Sequence, residues 1–380
     1  MTITRRKTLT ILGGGFVAAA AGAGTFAATR TPHAAVAPWT TAGNYSDPRK
    51  RHLSFAILSP NPHNMQPWLI DLSKPNQATL LVNMEKLLPH TDPFNRQITI
   101  GLGGFLELLR MAAAQDGMGV TITQFPDGSS ETALDHRPIA HIKWDGSAVP
   151  DPLFAHVMTR QSLKEPYDVT RSVPHDAMDR ITAVADGTGF SLEPDDITHW
   201  RKITQDALLI EIQTPRTYQE SVDVFRIGKR EINATPDGID FSGAFFETLN
   251  LMGQFDRQVV LDTTSTAYTA GIDAVLENAR TAMGHMWITT PANTRQDQLA
   301  AGAAWLRMNL AAQAEGIATQ PLSQALQEYP EMAEHYAHIH NRLAPNGETV
   351  QMFARVGYGE RVAQSPRWPL EAKVIGSKAV

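Results

Sequence analysis

The sequence predicts an α+β fold carried by two lobes in one chain. Three observations predict it. Strand-like and helix-like segments are mixed without the regular strand–helix–strand rhythm of a doubly wound parallel sheet. The length, 380 residues, suggests about two lobes. The composition, 42% hydrophobic and 19% charged, is that of an ordinary folded chain, able to bury a sizeable core without disulfides or metals.

The N-terminus reads as an address. Arg5-Arg6-Lys7 precede an apolar stretch, Leu9 to Leu12, then Gly13-Gly14-Gly15 and an Ala/Gly run to Ala28. Charge, apolar core and small residues make a secretory signal, and the paired arginines specify the twin-arginine type over residues 1–28. Cleavage is expected after Ala23 or Ala27. A membrane anchor is the competing reading, disfavoured because Gly and Ala insert poorly. Residues 29–45, with Pro32, Pro38 and Gly43, read as a linker. The expected location is therefore periplasmic or otherwise extracytoplasmic, with the twin-arginine translocase as a partner and membrane attachment if the signal stays on. That route serves folded cargo, which raises the expectation of a tightly held cofactor.

A first lobe is expected over residues 46–157. A helix ends at Ser54-Phe55-Ala56-Ile57-Leu58, strands follow at Trp68-Leu69-Ile70-Asp71 and near residues 78–84, and Leu102, Phe105, Leu106, Leu109, Ala112 and Ala113 give one apolar helical stripe. Val120, Ile122 and Ile139-Ala140-His141-Ile142 read as further strands. A second lobe is expected over residues 158–380. Helices are predicted at residues 195–212, 271–282 and 299–314, the last stopped by Gly316. Strands are predicted at Met286-Trp287-Ile288-Thr289 and at Val350, Met352, Ala354 and Val356. Residues 229–264 have weak periodicity and read as a lid or inter-lobe segment.

Composition removes several function classes. The net charge of -6, with no basic stripe, argues against nucleic acid. The absence of cysteine excludes disulfides, thiolate metal sites and a cysteine nucleophile. No Gly-x-Ser-x-Gly elbow is present. Gly101-Leu102-Gly103-Gly104 lacks dinucleotide-fold spacing and reads as close helix packing. Glu331, Glu334, His335 and His338 crowd one helix end, with His340 close by, but a polar helix end explains them better than a metal site; no metal is expected.

Three constellations remain. Arg160, Ser162 and Lys164 alternate, so in an extended segment they share a side and suit a phosphate with neighbouring hydroxyls; a solvated turn is the bland alternative. Pro60-Asn61-Pro62-His63-Asn64-Met65-Gln66-Pro67-Trp68 is a stiff loop whose amides both donate and accept, or else a structural loop around a core Trp68. Arg367, in Ser365-Pro366-Arg367-Trp368-Pro369, is held rigidly enough to reach an anion, or is a surface arginine in a tail.

Together these pieces resemble the FMN-dependent nitroreductase family. The Arg160–Lys164 run is similar to its flavin-phosphate segment, and the Gln66-Pro67-Trp68 loop to its Gln-Pro-Trp loop. Ala314-Glu315-Gly316-Ile317 resembles the segment beside the flavin ring, and Ala354-Arg355-Val356-Gly357-Tyr358-Gly359 with Arg367 the closing strand and terminal arginine. The order is unusual, because the arginine–serine segment follows the Gln-Pro-Trp loop. That order, with Asp92-Pro93-Phe94-Asn95-Arg96, resembles a fused-dimer (Acg-like) branch. Asn61 and Met65 stand where small hydroxylated residues are common, and Lys164 where many relatives have arginine.

The resemblance implies a nitroreductase-like fold of two related lobes, a fused pseudo-dimer plausible as a monomer, with one FMN per chain. Arg160 and Arg367 would neutralise the phosphate. Ser162 would bond phosphate or ribityl oxygens, and Lys164 would lie near the ribityl chain or the N1/C2-carbonyl edge. Asn61, Asn64 and Gln66 would close the site, and a backbone N–H near Glu315 or Gly316 would face N5. It implies hydride transfer to nitro, quinone or similar acceptors, with the electron donor open. The alternative is a flavin-sequestering protein without turnover, shielded by residues 229–264.

Overall fold

A computed structural model describes residues 29–376, so the signal expected over residues 1–28 lies outside the described residues. The fold is α+β. Helices α1 (His33–Thr41) and α2 (Pro48–Ala56) lead into strands β1 (Trp68–Asp71) and β2 (Gln77–Val82), helix α3 (Arg96–Gln115), and strands β3 (Met118–Gln124) and β4 (Ala140–Ser147). Next come helix α4 (His175–Thr182) and strand β5 (Thr188–Ser191), then helices α5 (Pro194–Gln213) and α6 (Pro215–Asp223). Strand β6 (Phe225–Ile227), helix α7 (Gly228–Ala234), strand β7 (Ile239–Phe241), and helices α8 (Ala244–Leu251), α9 (Arg257–Leu261) and α10 (Thr266–Arg280) follow. The chain closes with β8 (Gly284–Thr290), α11 (Arg295–Ala314), β9 (Ala318–Pro321), α12 (Ala333–Leu343), β10 (Thr349–Gly357) and β11 (Val374–Ile375).

Two sheets repeat one plan. The first has the order β11-β1-β2-β4-β3 and the second β5-β8-β10-β9. Without β11, each is an antiparallel four-stranded sheet in which a pair of strands, a helix and a second pair of strands take equivalent places. The helices α3 and α11 each have 20 residues and open on an arginine. They cross where Gly103 and Gly302 meet. A Cβ on Gly103 would run into the Leu299 carbonyl, and one on Gly302 into the Ile100 carbonyl, so the contact is reciprocal. Both helices have firm starts. Asp92 accepts the N–H groups of Gln97 and Ile98 at 3.0 and 2.9 Å, and Thr294 with Asp297 forms a capping box.

Three differences from the sequence reading have physical causes. The expected linker, 29–45, contains α1, whose Ala35 and Trp39 are buried; Pro38 tempts a linker reading, but the packed Trp39 ring holds the helix. Residues 229–264 form short helices and, with β6, a parallel ribbon around Phe225, Phe241 and Phe255. Helices of 5 to 8 residues are too short to show a period. Finally, the C-terminal tail returns to the first sheet, where β11 pairs parallel to β1 through Ile70 and Val374. A two-residue strand leaves no pattern in sequence.

Candidate functional site

The tail and the helix crossing bring Arg160, Arg367 and the Pro-rich loop together. Arg160 follows a 3₁₀ turn and is extended (φ -62°, ψ 136°). The segment after it is held by its neighbours: Leu163 N–H donates to the Thr319 carbonyl at 2.9 Å, and Asn278 Nδ2 to the Lys164 carbonyl at 2.9 Å. Arg355, wholly buried and stacked over Tyr167 at 3.7 Å, donates to the Glu165 carbonyl at 2.6 Å. Leu163 and Arg160 are both buried, Ser162 is half-buried and Lys164 exposed, in a segment without regular strand structure.

Arg160 is 4% exposed and Arg367 2% exposed. Arg160 Nη1 donates to Asn309 Oδ1 at 3.1 Å and Nη2 to the Leu58 carbonyl at 3.4 Å. Arg367 Nη1 donates to Asn64 Oδ1 at 2.6 Å and Ser365 Oγ at 2.8 Å; its Nη2 reaches the Leu58 and Ser59 carbonyls, both at 3.2 Å. Both guanidiniums thus share the Leu58 carbonyl. Among the described residues, no carboxylate ion-pairs with either one, and Ser162 Oγ and Lys164 Nζ have no hydrogen-bond partner. Burial pushes Arg160 down to about 10. Burial, and then the Arg160 charge, push Arg367 down to about 9. That repulsion is physically mutual, so the pair carries it together. Asp240 acts on Arg367 through its charge but does not ion-pair with it, and two buried cations with so little compensation are unfavourable alone and well suited to a doubly charged anion.

The Pro-rich loop is strained and locked. His63, Asn64 and Gln66 have φ of 46°, 53° and 50°, left-handed values that burden non-glycine residues by about 1–3 kcal/mol each where such strain persists. Asn61 Oδ1 accepts the Gln66 N–H at 2.7 Å. Asn64 Nδ2 donates to the Pro366 carbonyl at 3.0 Å. Gln66 is fully buried: its Nε2 donates to the Pro236 carbonyl at 2.7 Å, and its Oε1 accepts the Trp368 N–H at 2.9 Å. Gln66 is therefore a bolt between loop and tail, which corrects the expectation that its amide serves a ligand. Asn64 remains at the site through Arg367, and Asn61 shapes the loop.

Lys164 keeps exposed surface. Desolvation by the surrounding protein, against the partly compensating Asp240 and Glu211 charges, holds its ammonium below the usual lysine range. Burial and the Lys164 charge push His63 down to about 4, so its ring is neutral at pH 7. Burial raises Asp240 against the pull of Lys164. Burial also raises Glu211 to about 7, although Gln327 Nε2 donates to it at 2.7 Å.

Glu315 and Gly316 do not join this arrangement. The Glu315 N–H donates to Ala311 at 3.1 Å and the Gly316 N–H to Gln313 at 3.2 Å, closing α11, while the Glu315 carboxylate pairs with Arg180 at 2.8 Å. A helix C-terminus spends the very N–H groups that sequence reading offered to a ligand. The polar end of α12 is also committed, since Glu331 pairs with Arg216 and His338 Nε2 lies 2.9 Å from His199 Nε2.

Sequence reading missed several positioning groups. Asn309 orients Arg160 from within an otherwise apolar helix face. Asp237, whose side chain is 0% exposed, receives Lys86 at 2.7 Å, Arg226 at 2.9 Å and Trp368 Nε1 at 2.8 Å, tying the β6–β7 segment to the tail. The polar Asn309 among apolar neighbours was the one available signal.

Comparison with protein-family models finds no match. Two uncharacterized proteins, from two strains of Mycobacterium tuberculosis, are each 31% identical over 99 residues, covering 24% of this chain; the chain spans 29% of their length. Solved structures that resemble the fold include a putative nitroreductase from Anabaena variabilis (9% identity, 80% of this chain, 82% of that one, TM-score 0.42). Others are a nitroreductase with bound FMN from Bacteroides fragilis (12%, 57% and 95%, TM-score 0.34) and the FMN-dependent nitroreductase NfnB from Mycobacterium smegmatis (16%, 56% and 92%, TM-score 0.32). Likenesses this loose assign neither family nor ligand.

Proposed function

We propose that this chain is an FMN-binding oxidoreductase of the nitroreductase type. The observation that carries the reading is the pair of buried guanidiniums, Arg160 and Arg367, sharing the Leu58 carbonyl with no carboxylate partner. A phosphate monoester fits that pair in charge and in the fork geometry of arginine. The free Ser162 hydroxyl and the Lys164 ammonium, two residues apart, would serve the polyol and a carbonyl-bearing ring edge. Lys164 would favour electron-rich forms of such a ring by its charge. Asn64 would hold Arg367 in place, and the strained loop would fix the near wall. Bound FMN would supply hydride transfer to nitro, quinone or similar acceptors.

The repeated strand order and the reciprocal Gly103–Gly302 crossing support a fused pseudo-dimer. The Pro-rich loop before β1 has no equivalent before β5, where residues 183–187 join α4 directly to the strand, in keeping with one site per chain. Export by the twin-arginine route, followed by a periplasmic location, remains part of the proposal.

A second reading, flavin sequestration without turnover, is favoured by one observation. Residues 236–240 sit on the site itself: Gly238 N–H donates to the Asn64 carbonyl at 3.2 Å, and Asp240 lies beside Lys164 and Arg367. Release and chromatography of the ligand from folded protein tests the cofactor. Anaerobic NAD(P)H then separates the readings. Bleaching of the visible spectrum and reoxidation by a quinone support the oxidoreductase; an unbleached flavin, also inert to dithionite-level reductants of small size, supports sequestration.

A further inference from the structure

We infer that the α8 end of the β6–β7 module is a docking surface for a lipid bilayer. Phe245, Leu251 and Met252 are 67%, 77% and 62% exposed, three large apolar side chains within eight residues, whereas the other exposed large apolar residues are scattered through the described chain. Behind them Phe241 packs edge-to-face on Phe246 and on Phe255, each at 5.0 Å, and Phe246 and Phe255 are tilted against each other at 5.1 Å, so the tip stands on a firm base. The neighbouring exposed side chains, Thr248, Asn250 and Gln254, are uncharged. Glu247 is the one charged residue of α8, and Arg30 neutralises it at 3.0 Å. An uncharged apolar tip of this kind is unfavourable in water and suits the boundary between headgroups and acyl chains.

The occupant follows from where the chain leads. The Arg30–Glu247 pair and a 2.9 Å bond from Lys229 Nζ to the Thr29 carbonyl fix residues 29–30 against this module. Immediately before them, residues 8–29 carry no charged side chain. Where the signal stays on, a bilayer that takes up that stretch meets the α8 tip at the same place. No helix among the described residues is long and apolar enough to cross a membrane. The inference does not depend on which ligand the Arg160–Arg367 pair holds.

The absence of cysteine allows a clean test on the full chain. Met252→Cys and Val149→Cys, the latter 86% exposed beyond β4, are each labelled with bimane and mixed with phosphatidylethanolamine/phosphatidylglycerol vesicles containing brominated lipid. The inference predicts a blue shift and several-fold quenching at position 252, none at 149, and loss of the quenching when Phe245→Ser and Leu251→Ser are added. Equal water exposure of both labels on vesicle-bound protein, or failure to bind vesicles, would overturn it. So would protection of position 252 before lipid is added, which would assign the tip to the chain's own N-terminal segment or a second copy.

Discussion

Replacing Arg160 by methionine should move ligand affinity and unliganded stability in opposite directions. At 4% exposure the guanidinium is pushed down to about 10 by burial. At about 1.4 kcal/mol per pH unit the drop from the ordinary arginine range is a burden of about 3 kcal/mol in the charged form at pH 7. Its folded-state value is the lower one, so above about pH 10 the folded protein binds fewer protons than the unfolded chain, and the penalty is fully present below that pH. Methionine removes the burden and keeps much of the volume, but strands Asn309 Oδ1, at about 1–3 kcal/mol, while Arg367 still donates to the Leu58 carbonyl. The net change without ligand is then between zero and a gain of about 2 kcal/mol. With FMN, a charge-assisted bond worth about 1.5–3 kcal/mol is lost, so Kd should rise about ten- to a hundredfold. Urea unfolding of ligand-free protein and flavin-fluorescence titration give the two numbers. A large loss of unliganded stability with unchanged FMN affinity would show that Arg160 is structural, and the reasoning would fail.

Other outcomes follow from the same contacts. Asn64→Ala should weaken FMN binding by less than Arg160→Met, measured in the same titration, because it acts through Arg367; equal or larger loss would place Asn64 on the ligand. Gly103→Ala and Gly302→Ala should each destabilise by at least about 1–3 kcal/mol in urea, and similarly, because each Cβ meets a backbone carbonyl of the other helix. Glu211→Gln should flatten the pH dependence of stability. Glu211 has a raised folded-state value of about 7, so the folded protein holds the extra proton between pH 4.5 and 7 and loses stability as pH rises through that window; an unchanged slope would remove Glu211 from the account. Arg5→Lys with Arg6→Lys should leave the precursor in the cytoplasm, read by fractionation, and unchanged export would refute the twin-arginine reading.

The last strand of the second sheet was legible from Met352, Ala354 and Val356, which share one core, although a bulge after Val350 turns that residue to the other core and both faces of the strand are buried; α3 was legible because its stripe is long. Gln66 was misread because an amide's partners are not encoded near it: the Pro236 carbonyl and the Trp368 N–H lie 170 and 302 residues away. Glu315 and Gly316 were misread because a ring-facing N–H and a helix-closing N–H look alike in sequence. The α1 helix hid behind Pro32 and Pro38, whose turn signals are overridden by burial of Trp39 beneath the Arg367 side chain, 5.4 Å from ring centre to guanidinium.

The central claim, that Arg160 and Arg367 hold the phosphate of a flavin mononucleotide, is tested most directly by titrating ligand-free protein with FMN and with riboflavin, which lacks only the phosphate. The account predicts that riboflavin binds at least about a hundredfold more weakly, since two charge-assisted arginine contacts of about 1.5–3 kcal/mol each are lost together. The Arg160→Met protein should narrow that gap. Equal affinity for the two flavins, or no binding of either by folded protein, would contradict it.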